Sequence, residues 1–525
     1  MKLISASSVL FLVALVSPSY SQTPTPTPPP WTDFAYTDWN PGTSPAISGS
    51  GTANQHCESR SIWDGTQFVS IHGSEEGRPW PSTYWIAYSA DGQIWGTPTP
   101  LAGLPRVWNT GHHAVAYNKD NFPATDTMNG DTNIKFKMWY TAYGTTGYDY
   151  FRYAESPDGI TWEAADEFLY CPSYYKVSDW PGNTKVMIKP DVLYRPKGSA
   201  TLDTANPMNN RYISYLGASR TDASGGPGYF EMYISNNGLD WKLYAWDQQC
   251  QDHWDSQPTP VPTPEVSDII TFTGGSSLPS GLNVDALEEV YQNGELQGYM
   301  FWVEVPYGPI LSYYSTNGVD WTGCEATALG INNIGAKHLG EYWNNERNHG
   351  YDSVRLGESY FILRSGKNGT AYTLGAAVRK GNMSAEATPL PWSGGAVGNL
   401  AISYALFNWT AEVAPSGLFT YSTDGSTYTP ATMMVMGGDG DANLAASIGG
   451  SRHVYAWDVN ADLPGGAGGS SFRVKPVPAS GEGSYDTVFV PIGVNFQPGA
   501  SPTPLGFVKD SGQAYGAQGW RTYGW

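Results

Sequence analysis

The sequence predicts an all-β protein: a five-bladed β-propeller, then a small β-sandwich, then the start of a further, incomplete β module. Composition is the first observation. Trp, Tyr and Phe make up 14% of the chain and charged residues 14%, while 61 glycines and 39 prolines interrupt most runs long enough for an amphipathic helix. That balance favours many short aromatic strands. A repeat is the second. The form Ser-x-[Asp/Asn]-Gly-x-x-Trp occurs at residues 89–95, 156–162, 235–241 and 315–321, so its serines recur at intervals of 67, 79 and 80 residues. Asp-Gly or Asn-Gly supplies the positive φ of a tight hairpin turn, the serine can bond the turn backbone, and the tryptophan packs the corner. Such periods are too long for a solenoid and suit propeller blades carrying loops.

In chain order, residues 1–21 read as a secretory signal: Lys2 comes early, an apolar run covers 9–16, and Ser19 and Ser21 precede a cut near Gln22. The run is well short of the ~20 residues a membrane helix needs, and no later segment is apolar enough to span a bilayer. The mature chain is expected to be secreted or held at the cell surface, opening with a stiff Thr/Pro linker at 22–30. A net charge of −20 argues against nucleic acid or anionic membrane as partner, and it equally suits plain solubility. Cys57, Cys171, Cys250 and Cys324 sit in an exported chain where disulfides persist, with three pairings open. The absence of any Cys-x-x-Cys pair argues against a zinc site of that kind.

The propeller is expected over residues 31–390. Strands at 113–117, 135–143 and 150–156 lead into the second copy of the repeat, and 186–194, 211–217 and 229–235 lead into the third. A fifth unit at 351–355, 359–364 and 371–379 keeps the strand order without the Trp hairpin and reads as the last blade, its sheet completed by the N-terminal segment. Beyond 390 the period stops. Residues 395–482 read as the sandwich; Tyr-Ser-Thr-Asp-Gly at 421–425, the stretch 455–465 and Phe-Arg-Val at 472–474 resemble the fibronectin-type modules of large bacterial exoproteins. Residues 488–525 resemble the first strands of a jelly-roll module of the same exoproteins, so the chain is expected to be a fragment.

The hairpin repeat, with Lys-Met-Trp-Tyr at 137–140 and Ser-Pro-Asp-Gly-Ile-Thr-Trp at 156–162, resembles the five-bladed glycoside hydrolases: arabinanases, β-xylosidases, levanases and invertases, of families 43 and 32. The motif specifies fold more than chemistry. The resemblance implies acids at the starts of the inner strands that project into an axial funnel, where one protonated carboxyl assists the leaving oxygen and one ionised carboxylate acts as base or nucleophile. Aligning those strands puts Glu58, His113, Asp191, Asp285 and Asp352 at the axis. Asp191, in Lys-Pro-Asp-Val-Leu-Tyr, is similar to the superfamily's Arg-Asp-Pro strand, whose Asp steadies the transition state. Asp285 or Glu58 is the expected base, and Asp352 completes the acids. Glu304, between Val303 and Val305, is the expected acid because apolar neighbours raise a carboxyl pKa. Substrate contacts are expected from His112, His113, Arg220, Arg364 and Trp108, with Trp80, Trp180 and Trp343 as further surfaces for stacking on sugar rings.

The chain departs from the superfamily, which presents Asp, Asp and Glu on three consecutive blades from the first; here the second blade offers histidines and the consecutive acids are all Asp. Bland roles compete at each position. Asp191, Asp285 and Asp352 could cap loop amides, Glu304 could pair with Arg220 or Arg364, and His112 and His113 could be hydrogen-bonded loop residues. No cofactor is expected, although a structural calcium at the axis would account for several carboxylates. The leading expectation is a secreted glycoside hydrolase acting on a polysaccharide or oligosaccharide. A non-catalytic glycan-binding or surface-attachment propeller is the alternative. A sialidase is third; it needs an arginine cluster, for which Arg60, Arg220 and Arg364 are candidates, and its aspartate box carries one more residue between Asp and Gly. Carboxyl pairs roughly 5–10 Å apart would fit hydrolysis, whereas acids tied to backbone amides would fit a structural role.

Overall fold

A computed structural model describes residues 37–38, 47, 57–73, 84–104, 113–143, 149–165, 186–220, 229–255, 264, 269–273, 283–292, 295–304, 310–323, 347–368, 371–388, 390, 398–435, 437–491, 493–496, 507–510, 516–518 and 521–523. A short strand β1 (Thr37–Asp38) comes first. The first four-stranded sheet is β2 (Cys57–Trp63), β3 (Phe68–Gly73), β4 (Tyr84–Ser89) and β5 (Thr99–Pro100). The second is β6 (His113–Tyr117), β7 (Phe136–Tyr143), β8 (Asp149–Ser156) and β9 (Glu163–Ala164). β10 (Val186–Tyr194), β11 (Tyr212–Arg220), β12 (Tyr229–Ser235) and β13 (Lys242–Asp247) form the third. Helix α1 (Gln248–Asp255) and β14 (Ile269–Thr273) lead to the fourth: β15 (Asn283–Gln292), β16 (Glu295–Glu304), β17 (Ile310–Ser315) and β18 (Asp320–Gly323). β14 lies parallel between β13 and β18 and joins the third and fourth sheets.

The fifth sheet, β19 (Arg347–Leu356), β20 (Ser359–Asn368) and β21 (Ala371–Arg379), takes β1 as its outer strand, with Thr37 opposite Val378. Each inner strand packs on the next, in the order β2, β6, β10, β15 and β19, and β19 returns to β2. That closed cycle is a five-bladed propeller, as the repeat predicts.

The repeated hairpin holds its shape by the chemistry expected of it. Serine Oγ accepts the glycine N–H at 2.8 Å (Ser89, Ser156, Ser315) or 2.9 Å (Ser235), and the tryptophan Nε1 donates to the glycine carbonyl at 2.9–3.1 Å. The turn glycines take φ between +75° and +77°, the region where a Cβ is strained. The hairpin also latches blades together: Trp139 Nε1 on β7 donates to Gly238 O at 2.9 Å, and Tyr215 Oη on β11 donates to Gly318 O at 2.5 Å.

The apolar core lies between blades. Ile71, Ile86, Met138 and Tyr140 join the first to the second; Trp139, Tyr153, Tyr212 and Trp241 join the second to the third; Tyr215, Phe230, Phe301 and Trp321 join the third to the fourth. Each such buried side chain contributes about 1.5–3 kcal/mol, so the aromatic composition is what holds the ring. Cys250, on α1, is a buried free thiol, a departure from the expectation that the cysteines pair. Its Sγ donates to Phe230 O at 3.7 Å, and burial with nearby Glu231 and Asp247 raises its pKa well above the usual thiol range. Cys171 and Cys324, and the side chain of Cys57, lie outside the described residues.

A two-sheet sandwich follows. One sheet holds β22 (Met383–Ala387), β23 (Asn399–Phe407), β27 (Ser451–Asp458) and β29 (Gly483–Ser484). The other holds β24 (Val413–Ser422), β25 (Thr429–Pro430), β26 (Ala442–Ala445), β28 (Ser471–Val477) and β30 (Asp486–Phe489), and helix α2 (Val459–Asp462) leaves β27. β22 pairs with β23, so residues 383–387, inside the range expected for the propeller, are part of the sandwich, and its last strand runs to Phe489, past the expected end at 482. The Ser-x-Asp-Gly turn at Ser422 falls in this sandwich, where Asp424 Oδ1 accepts two turn amides at 2.8 and 2.7 Å. Residues 493–496 pair with 507–510, and 516–518 with 521–523. Among the described residues no helix is long and apolar enough to cross a membrane.

Candidate functional site on the propeller axis

An inner blade strand is an edge strand: its outer side pairs with the second strand, and its inner side leaves N–H groups facing the axis. Two of the predicted acids meet those amides. The Asp352 carboxylate accepts the N–H of Ser61 on β2, and the Asp191 carboxylate accepts the N–H of Leu287 on β15. Both aspartates are only 5% exposed. Arg60 sits among them, its Nε donating to His113 O at 2.6 Å and its Nη1 3.7 Å from Asp352 Oδ1. Burial raises the Asp191 pKa against the pull of Arg60 and the Leu287 amide, and it pushes Asp352 up to about 7 against Arg60 and Ser61.

A third acid, absent from the expected set, completes the cluster. In β15 the ladder to β16 shifts register between Asp285 and Glu288, and this bulge changes which side chains face the axis. Glu288 Oε1 accepts the Ser353 hydroxyl at 2.7 Å. Burial, with added repulsion from Asp352 and Asp191, raises Glu288 to about 8, against Ser353 and Arg355. Such a shift favours the protonated form of the carboxyl near neutral pH. Strict alternation along Asn283-Val-Asp-Ala-Leu-Glu288 selects Asp285, and no residue in that run announces a bulge.

Arg60, Asp191, Glu288 and Asp352 line a cavity of about 580 Å³, within the roughly 300–1,000 Å³ usual for small-ligand sites. Its lining extends to the turn-side ends of the inner strands at Trp63, Asn118 and Gly357, and then to Glu386, Phe407 and Arg452 of the sandwich. The structure thus brings together Asp191 and Asp352 of the expected residues, with Arg60 and Glu288 added. His113 is 1% exposed and stands outside the cavity lining; its Nε2 donates to Ile71 O at 3.0 Å and its ring meets Tyr84 edge-on at 4.9 Å. That is a packing role in place of the expected substrate contact. The side chains of Glu58, Asp285, Glu304, Arg220 and Arg364 lie outside the described residues, as do His112, Trp80, Trp108, Trp180 and Trp343 entirely. Among the described residues no group of three or more His, Cys, Asp or Glu could hold a metal ion.

No family model matches the sequence, and no curated protein matches it. Several solved structures are similar in fold. A glycoside hydrolase matches with TM-score 0.42 and 11% identity, over 65% of this chain and 92% of its own. A GH62 hydrolase in complex with xylotriose matches with TM-score 0.40 and 12% identity, over 66% and 98%. A thermostable family-43 glycoside hydrolase matches with TM-score 0.38 and 11% identity, over 65% and 92%.

Proposed function

We propose that this chain is an exported, carbohydrate-active protein of glycosidase type, with its reactive site in the axial cavity. The observation that carries the proposal is the place of Glu288: its carboxyl accepts the Ser353 hydroxyl inside a cavity of ligand size that also holds Asp191, Asp352 and Arg60, where burial pushes its pKa up to about 8. Glycoside hydrolysis needs that pairing of one protonated and one ionised acid. Glu288 gives its proton to the glycosidic oxygen as the bond to the anomeric carbon breaks. Asp285, on the same strand as Glu288, or Glu58, on β2, takes a proton from the attacking water, whose oxygen forms the new bond. Asp191 stabilises the positive charge that develops on the sugar. Glu288 takes the acid role expected of Glu304 because it lines the cavity beside Asp191, Asp352 and Arg60. Export rests on residues 1–21.

A second reading has its own support. Asp191 and Asp352 each bond a backbone amide of the next blade, the arrangement expected of a structural acid, and a propeller held by such ties could bind glycan without cutting it. The purified chain should be screened against a panel of polysaccharides and aryl glycosides, beside Glu288→Gln. Reducing sugar released by the wild type and lost in a folded variant supports the hydrolase. Binding without release, unchanged in the variant, makes it a glycan-binding platform.

A further inference from the structure

We propose that the sandwich is a wall of the axial site and that its Glu386, acting through Arg355, is a positioning residue for Glu288. This rests on the reading of the cavity as the reactive site, and it changes the role of the sandwich from spacer to component.

The two modules share one core. Phe68, Leu356, Phe361 and Leu363 of the first and fifth blades pack with Phe407, Trp409 and Ile448 of the sandwich. The approach is close enough to exclude side chains: a Cβ on Gly449 would overlap the Trp63 indole, and one on Gly357 would meet Ser384 Oγ and the Phe407 ring. Glu358 N donates to Ser384 Oγ at 3.2 Å across the same joint. Such packing fixes Glu386, on β22, against the end of β19.

There Arg355 Nη1 donates to Glu386 Oε1 at 2.9 Å and to Gly357 O at 2.7 Å, and its guanidinium lies 4.2 Å from the Tyr291 ring centre. The side chains of Arg355 and Glu386 are 22% and 36% exposed, so the pair is partly shielded from water. Tyr291 Oη donates to Glu289 Oε2 at 3.1 Å, and Glu289 Oε1 lies 2.6 Å from Arg195 Nε. Burial works against the Arg355 cation, while Glu386, Tyr291, Glu289 and Tyr360 more than offset it.

Glu288 is faced from β19 by Ser353, Asp352 and Arg355 and from β10 by Asp191, with Arg60 of β2 on the same cavity. Arg355 is the cation that most favours the ionised form of Glu288, and Glu386 is the sandwich carboxylate that occupies it. With Glu386 neutral, the unbalanced Arg355 charge pulls Glu288 toward ionisation, and the site loses its proton at lower pH.

The test needs no substrate, so a failed glycan screen and a failed inference are separable. Thermal unfolding of the full chain is followed from pH 5 to 9 for wild type, Glu386→Gln, Glu288→Gln and the double variant. Glu288 binds its proton more tightly in the folded chain, so the wild-type midpoint falls as pH rises toward 8. In Glu386→Gln that fall should level off about one pH unit lower, a typical effect of one neighbouring charge, and the difference should vanish when both variants carry Gln at 288. Glu386→Asp, which keeps the charge, should restore most of the wild-type profile and serves as the readout if Glu386→Gln does not fold. A Glu386→Gln profile superimposable on wild type, or a shift that persists without Glu288, overturns the inference.

Discussion

Asp352 on β19 accepts the main-chain N–H of Ser61 on β2, and in doing so an acid of the last blade caps the free edge of the first. Asp191 does the same for Leu287 between the third and fourth blades. A buried N–H without a partner costs about 1–3 kcal/mol, so these carboxyls help close the ring whatever else they do.

Asp352 titrates at about 7 in the fold against 3.8 for a free carboxyl. The folded chain therefore holds this proton more tightly, and the stability it contributes is full below pH 3.8 and lost as pH rises through 7. Asparagine cannot titrate. The stability advantage of wild type over Asp352→Asn should shrink between pH 4 and 7.5 in urea unfolding; an advantage that grows with pH would contradict the assignment.

Glu288 must be protonated to act as the acid. Hydrolysis by the wild type should therefore fall on the alkaline side with a midpoint near its pKa of about 8. Glu288→Gln should reduce kcat at least 100-fold, the low end of about 10²–10⁴ for a lost general acid. A wild-type profile still flat at pH 9.5 would remove Glu288 from that role.

Lys137 on β7 is fully buried, its Nζ donating to Asp126 O and, at 2.8 Å, to Asn237 O of the third blade. Burial lowers its pKa from 10.5 to about 7, against Glu155 and Asp126. Here the unfolded chain holds the proton more tightly, so stability should rise with pH between 7 and 10.5. Lys137→Met should flatten that rise, as chemical denaturation at pH 7, 8.5 and 10 would reveal.

Two glycines of the same turn motif separate strain from packing. Gly318 and Gly425 take φ of +77° and +73°, but a Cβ on Gly318 would strike Met208 and lie 2.9 Å from Tyr215 Oη, while one on Gly425 meets nothing within 4 Å. Alanine at either position costs about 1 kcal/mol of backbone strain. Gly318→Ala should cost a further 1–3 kcal/mol or so for overpacking, and equal melting points for the two variants would refute the inter-blade latch.

The repeated hairpin was legible because its chemistry is local: serine, Asp or Asn, glycine and tryptophan satisfy one another within seven residues, and tertiary context is not needed to form the turn. Asp191 and Asp352 were legible because they occupy like positions in like strands. Glu288 was not, since the β15 bulge that orients it leaves no mark in the alternation of the sequence. Nor was the join at β22, where a strand expected in the propeller pairs with β23. By itself the sequence determined the blade period, the all-β class and two of the acids on the axis, Asp191 and Asp352. The tertiary structure decided that Glu288 joins them and that the sandwich shares the cavity, because both depend on burial and on groups brought together from strands far apart in the chain.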